Sequence, residues 1–172
     1  MNLRVVEKED LPLIAEWFNN PEFLGEYEHF HAISKTELEK GYEKLQPEEK
    51  HFIIEKKDGT NIGFLGHHTE EKLWTIGYSL IPSERNKGYC TEAVKIIEDY
   101  LFLSQDTVRI QAKTNVENIP SQRVLEKAGF KKEGTIRKSY FAQGKWRNMF
   151  LYSILREEWK EPKILTKTVP QK

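Results

Sequence analysis

The residues of this chain best placed to do chemistry stand in one stretch, Leu73 to Tyr100. Between an apolar run and an amphipathic one lies Ser83 to Cys90, which is polar and turn-like. Arg85 and Lys87 bring formal positive charge, and Gly88 brings room beside the main chain. Thr91 or a neighbour suits a helix cap, and Glu92 suits the positive first turn that follows. A loop opening into a helix in this way aims several backbone N–H groups at one point, where the helix dipole adds partial positive charge. The guest such a junction accepts is a phosphate or a pyrophosphate.

The elements that must hold this loop are legible on both sides of it. Leu73 to Ile81 is apolar and β-prone, and Pro82 ends it. Ala93, Ile97, Tyr100 and Leu101 recur on one helical face. Upstream, Leu3 to Val6 reads as a strand. Asp10 reads as the cap of a helix with Leu11, Ile14, Ala15 and Phe18 along one side, stopped by Asn19-Asn20-Pro21. Phe23 to Ile33 is irregular and rich in aromatic and acidic groups. Ser34 and Glu37 have capping-box spacing and open a second helix with Leu38, Tyr42 and Leu45 inward. Phe52 to Glu55 and Asn61 to His68 are strands joined through Asp58-Gly59, a hairpin signal. Downstream, Val108 to Thr114 alternates, with Val108, Ile110 and Ala112 on one side. Reached through a helix, it is expected to run parallel to the Leu73 strand. Asn115 to Phe130 is a second loop and helix, with Pro120 near its start and Gly129 at its end. Gly134 to Phe141 and Trp146 to Leu155 are the last strands. From Lys160 the chain is rich in Lys and Pro, so residues 1–159 read as one domain and 160–172 as a mobile tail.

The chain as a whole narrows the function. Its 172 residues suit one domain with a sizeable core. A composition of 38% hydrophobic and 31% charged residues is that of a soluble globular protein. The 27 basic residues are balanced by 27 acidic ones, which argues against bulk nucleic-acid binding. Cys90 is the single cysteine, so an intrachain disulfide and a Cys-cluster zinc site are excluded, and no metal is expected. No charged-then-apolar leader opens the sequence and no apolar run is long enough to span a bilayer, so no membrane partner and a cytoplasmic location are expected. The GxGxxG, GxxxxGK[ST] and HExxH patterns are absent.

Two motifs at separated positions carry a resemblance. Arg85-Asn86-Lys87-Gly88-Tyr89-Cys90 resembles the Q/R-x-x-G-x-G/A loop of the GNAT N-acetyltransferases, with Cys90 where Gly or Ala is usual. Asn115 to Phe130 is similar to that family's N-x-x-N-x-x-S-x-x-V-L-E-K-x-G-F pattern. Glu133-Gly134-Thr135 and Gly144-Lys145-Trp146-Arg147-Asn148 resemble its ribosomal-protein (RimJ/RimL-like) branch. The resemblance covers Leu3 to about Trp159. It implies a mixed α/β fold, the acyl-CoA N-acyltransferase fold, in the order β-α-α-β-β-β-α-β-α-β-β. In that fold the central sheet splays between Tyr78–Ile81 and Val108–Thr114 to admit the pantetheine arm of acetyl-CoA. It further implies main-chain contacts from Leu80 and Ile81, a pyrophosphate grip by Arg85, Asn86, Lys87, Gly88, Tyr89, Cys90 and Thr91, and cofactor contacts from Asn115 and Asn118. Many relatives place a proton-donating Tyr where Leu125 stands here. In the ribosomal-protein branch Ser121 is the usual substitute, so Ser121 and Asn118 are the catalytic expectations. Asn118 equally suits a helix cap, and Ser121 a first-turn serine bonded to the backbone.

Acetyl transfer from a thioester to an amine needs a neutral amine, a stabilised oxyanion and protonation of the departing thiolate. The base is open among His67, His68, Glu28, His29, His31 and a water relay. The acceptor is expected between the early loop and the last hairpin. There Glu26 and Glu28 attract a cation, while Tyr27, Phe30, Tyr140 and Trp146 wall the site. The branch resemblance favours a protein N-terminus as acceptor, and the acidic loop favours a polyamine or aminoglycoside-like amine. The competing reading of another class is a non-catalytic CoA-binding module. A monomer or a homodimer is expected, the latter through the Trp146 strand acting as a sheet edge.

Overall fold

The computed structural model describes residues 1–70, 73–160 and 162. The tail read over 160–172 therefore falls, apart from Lys160 and Pro162, outside the described residues. Seven strands form one sheet: β1 (Asn2–Val5), β2 (Lys50–Glu55), β3 (Asn61–Glu70), β4 (Leu73–Leu80), β5 (Arg109–Asn115), β6 (Lys131–Ala142) and β7 (Lys145–Leu155). Their spatial order is β1-β2-β3-β4-β5-β7-β6. All neighbours are antiparallel except β4 and β5, which the crossover helix makes parallel. The helices are α1 (Leu11–Phe18), α2 (Pro21–Leu24), α3 (Lys35–Glu43), α4 (Tyr89–Ser104) and α5 (Ile119–Ala128).

Period-two alternation splits β2 between two cores. Phe52 and Ile54 join Leu65, Trp74, Ile97, Leu101 and Leu125 beneath α4 and α5. Ile53 joins Val6, Leu11, Ile14, Trp17 and Phe23 beneath α1 and α2. The sheet is thus covered on both faces, which fixes β3, β4 and β5 between packed layers.

Several local expectations change. Asp10 does not cap α1 through its side chain. Its carboxylate instead takes both Arg4 guanidinium nitrogens at 2.8 and 2.9 Å and the Glu7 N–H at 2.9 Å. The buried side of α1 carries Trp17 beside Leu11 and Ile14, while Ala15 and Phe18 are half-buried. The loop after α1 begins with the one-turn α2, where Asn20 accepts the Glu22 N–H; four residues are too few to show a helical period. Val108 precedes β5 and is 67% exposed, so the inward pair is Ile110 and Ala112. β7 is no sheet edge: it pairs with β5 on one side and β6 on the other, so the free edges are β1 and β6.

One feature organises the site. β4 and β5 pair only at Trp74 with Ile110 and Thr75 with Gln111, then diverge. At the far end of β4, Gly63 holds β3 in close. A Cβ there would stand 2.3 Å from the Ser79 carbonyl oxygen and 2.6 Å from Leu80 Cδ2.

Candidate active site

The divergence of β4 from β5 opens a cleft of about 840 Å3. Ile76 to Leu80 of β4 form one wall, and Ala112 to Asn115 of β5 with the first turns of α5 form the other. Main-chain hydrogen-bonding groups alternate sides along a strand. Ile81 donates its N–H to the Ile62 carbonyl at 2.9 Å, so it faces β3. By the same alternation Tyr78 and Leu80 turn their main-chain groups towards the gap. Leu80 thus sits where the sequence placed it. Ile81 does not line the cleft, and its N–H is already committed.

The loop closes one end of the cleft. After a helical turn at Pro82–Glu84, Asn86 (φ +63°) and Gly88 (φ +89°) take left-handed backbone conformations, and α4 starts at Tyr89. Thr91 is not the cap. Gly88 holds that position and has no side chain with which to cap the first-turn N–H groups. They stay available to an anion. A Cβ on Gly88 would meet nothing within 4 Å, so open space lies beside this backbone. Asn86, Gly88, Tyr89, Cys90 and Thr91 all line the cleft.

The two loop cations do other work. Arg85 donates Nε to the Leu80 carbonyl at 3.1 Å and Nη2 to the Glu22 and Phe23 carbonyls, each at 2.8 Å. It ties the loop to α2 and lines the cleft as a strut rather than as a free charge. Lys87 pairs with Glu84 at 3.1 Å and does not line the cleft. Burial pushes the Cys90 thiol up to about 12 although Arg85 opposes this, so it stays protonated.

At the start of α5, Asn118 accepts the Ser121 N–H at 3.2 Å, so it is a helix cap that also lines the cleft. Ser121 presents Oγ 3.0 Å from the Tyr78 hydroxyl oxygen, and the Tyr78 O–H lies 3.2 Å from the Ser121 carbonyl oxygen. Desolvation holds the Tyr78 pKa above the ordinary tyrosine value, outweighing the opposing hydrogen bond from Ser121. The sequence placed Tyr78 at the edge of the gap and gave its side chain no role there. Thr75, Tyr78 and Ser79 all bring hydroxyls to this strand, and nothing in its spacing marks Tyr78 out. Asn115 is buried, donating to the Tyr140 hydroxyl at 2.8 Å and accepting the Glu117 N–H at 2.8 Å.

On the acceptor side, Gly25 to Glu28 line the cleft. Tyr140 donates its hydroxyl to the Tyr27 carbonyl, and Gln143 reaches the Gly25 and Glu28 carbonyls at 3.4 and 3.5 Å. Tyr140 is therefore a buttress behind the wall. Trp146 is 59% exposed and meets the exposed Phe141 edge-on at 5.9 Å, away from the cleft. Phe30 is 65% exposed and does not line the cleft either. Burial raises the Glu28 pKa, partly offset by His29.

Of the base candidates, Glu28 alone lines the cleft among the described residues. His67 is fully buried with neither ring nitrogen hydrogen-bonded, against Phe52, Trp74 and Tyr100. His68 faces solvent on the opposite side of β3. His29 and His31 pack ring to ring at 4.1 Å outside the cleft. Among the described residues no group of three or more His, Cys, Asp or Glu is placed to hold a metal, and no helix is long and apolar enough to cross a membrane.

Comparison with known proteins places this cleft in a family. The family model described as the acetyltransferase (GNAT) domain matches residues 1–131. The chain belongs to the GNAT acetyltransferase family. It is an acetyl-CoA-dependent N-acetyltransferase, and the CoA-binding module without catalysis is set aside. Similar proteins include the uncharacterized N-acetyltransferase YnaD of Bacillus subtilis, 40% identical over 96 residues that span 56% of this chain and 54% of that one. The spermidine N(1)-acetyltransferase of Escherichia coli is 27% identical over 92% of this chain and 88% of its own. Among solved structures, a spermidine N-acetyltransferase mutant from Vibrio cholerae superposes with a TM-score of 0.79 at 23% identity, covering 92% of this chain and 96% of that chain. At that identity the likeness is one of fold.

Proposed function

We propose that this acetyltransferase moves the acetyl group of acetyl-CoA directly onto a small cationic amine of the polyamine class. The observation that carries the reading is the joining of two features in one cleft. The unpaired edge of β4 and the uncapped start of α4 suit an extended thioester cofactor with a pyrophosphate. Glu26 and Glu28, at the other end, suit an acceptor with more than one positive charge. In this reading the main chain of Tyr78 and the N–H of Leu80, whose carbonyl Arg85 holds, pair with the pantetheine arm, and the N–H groups from Tyr89 to Thr91 hold the pyrophosphate. Asn115 and Asn118 shape the wall beside the arm. Glu28, its carboxyl less acidic than usual, takes the proton that the attacking ammonium must lose. A main-chain N–H of β4 meets the oxyanion. Ser121 hydrogen-bonds the sulfur as the C–S bond breaks. With Cys90 protonated, the acetyl group passes straight to the amine with no thioester on the protein.

A second acceptor, a protein N-terminus, is favoured by the resemblance of Glu133–Thr135 and Gly144–Asn148 to the ribosomal-protein branch. One assay separates the two. Thiol release from acetyl-CoA is measured against spermidine, an aminoglycoside and peptides with N-terminal Ala, Ser and Met. Turnover with spermidine and none with the peptides is expected. Turnover with a peptide alone would replace the polyamine reading with the N-terminal one.

A further inference from the structure

We infer that Tyr78 is a positioning residue for Ser121, setting the direction in which Ser121 presents its hydroxyl hydrogen to the departing sulfur. The inference rests on the acetyl-transfer reading above. Tyr78 belongs to neither motif. It stands on β4, while Ser121 stands in the first turn of α5, so the two walls of the cleft touch through this pair of hydroxyls.

A serine hydroxyl has one hydrogen and rotates to suit its neighbours. Tyr78 has one hydrogen too, and two acceptors within reach on the same residue: Ser121 Oγ at 3.0 Å and the Ser121 carbonyl oxygen at 3.2 Å. Two arrangements within this geometry bond the two hydroxyls to each other. In one, Tyr78 donates to the carbonyl and Ser121 spends its hydrogen on the Tyr78 oxygen. In the other, Tyr78 donates to Oγ, and the Ser121 hydrogen must turn away, towards the open cleft. The sulfur gains negative charge as the C–S bond breaks, and only the second arrangement offers it a hydrogen. Desolvation keeps Tyr78 protonated, so it never becomes an acceptor-only phenolate that would hold the Ser121 hydrogen back. Leu125, one turn further along α5, has no donor to replace Ser121.

The step balances without consuming either hydroxyl. The amine nitrogen forms the C–N bond, and the C–S electron pair goes to sulfur. The ammonium nitrogen gives up two protons in becoming an amide: one leaves through Glu28 to solvent, and the other matches the proton the thiol finally gains. Tyr78 and Ser121 end as they began.

The test uses the full chain with the best amine of the panel and compares Tyr78→Phe, Ser121→Ala and the double variant. Tyr78→Phe removes one oxygen and keeps the ring. It is expected to lower kcat about tenfold, less than the roughly 100-fold or more that a direct acid–base group supplies because Tyr78 acts through Ser121, with the KM for acetyl-CoA and the melting temperature unchanged. The double variant is expected to lose no more than Ser121→Ala alone, because an aimed donor and its aimer act as one unit. An undiminished kcat in Tyr78→Phe would overturn the inference. So would a double variant whose loss is the product of the two single losses, or a kcat loss matched by a weaker KM for acetyl-CoA. A wild-type chain that binds acetyl-CoA but acetylates no amine would overturn the acetyl-transfer reading itself, and is seen before any variant is made.

Discussion

Cys90 and His67 show how one burial effect has opposite consequences for an acid and a base. Removing water disfavours whichever form is charged, so the Cys90 thiol rises to about 12 and the His67 imidazole falls to about 4. Alkylation by iodoacetamide needs a thiolate, so Cys90 is expected to react slowly at pH 8 and much faster once urea unfolds the chain. Equal rates would contradict the shielded thiol. For His67 the sign follows from proton counting. The unfolded chain protonates this ring near 6.5 and the folded protein only near 4, so between those values the unfolded state holds more protons. Stability is therefore complete above 6.5 and drains away on acidification towards 4, by up to about 3 kcal/mol from this group. His67→Phe is expected to flatten that part of the pH profile in urea melts. A profile unchanged by the substitution would place the titration elsewhere.

At the scale of elements, the cleft depends on contacts that hold β3, β4 and α2 in register. Gly63→Ala forces a methyl group to within 2.3 Å of the Ser79 carbonyl oxygen, a backbone atom that cannot swing aside. The strands must part where β4 enters the cleft, and a loss of about 1–3 kcal/mol with a raised KM for acetyl-CoA is expected. A Gly63→Ala protein with wild-type melting and KM would show that the pair tolerates the shift. Arg85 joins elements as well as charges. Its three carbonyl partners lie on β4 and α2, and α2 leads directly into Gly25–Glu28. Arg85→Ala is accordingly expected to raise the KM for the amine more than that for acetyl-CoA, because the acceptor wall loses its tether while the first-turn N–H groups of α4 remain. The opposite ratio would return Arg85 to the role of phosphate ligand.

At the scale of the molecule, the order of strands and long helices was legible because local signals marked each. An apolar run ended by Pro82 marks β4, a one-faced apolar repeat marks α4, Pro120 and Gly129 bracket α5, and the Ser34–Glu37 capping box forms as its spacing predicts, with the Glu37 N–H 3.2 Å from Ser34 Oγ. What was illegible depended on partners distant in sequence. Nothing near Asp10 announces that Arg4 would claim its carboxylate, and nothing near Arg85 announces the carbonyls of Glu22 and Phe23. Trp146 reads as a wall residue by type, and only the pairing of β7 with β6 places it at an exposed hairpin end. Tyr78 was hidden for the same reason: its meaning comes from Ser121, 43 residues later in the chain. The splay of β4 from β5 also bears on folding. Past Thr75 and Gln111 the two strands give each other no ladder, so the sheet is held there by helices and by its outer neighbours alone. A guest that bonds to both free edges supplies the missing cross-links, and whatever binds only the folded state adds RT ln(1 + [L]/Kd) to its stability. In the proposed binding mode acetyl-CoA would be a structural member as well as a reagent. The amide hydrogens of Tyr78 and Leu80, which face the gap, should then exchange slowly with acetyl-CoA present and faster without it, so the cofactor would bear on how long the fold lasts as well as on how fast it works.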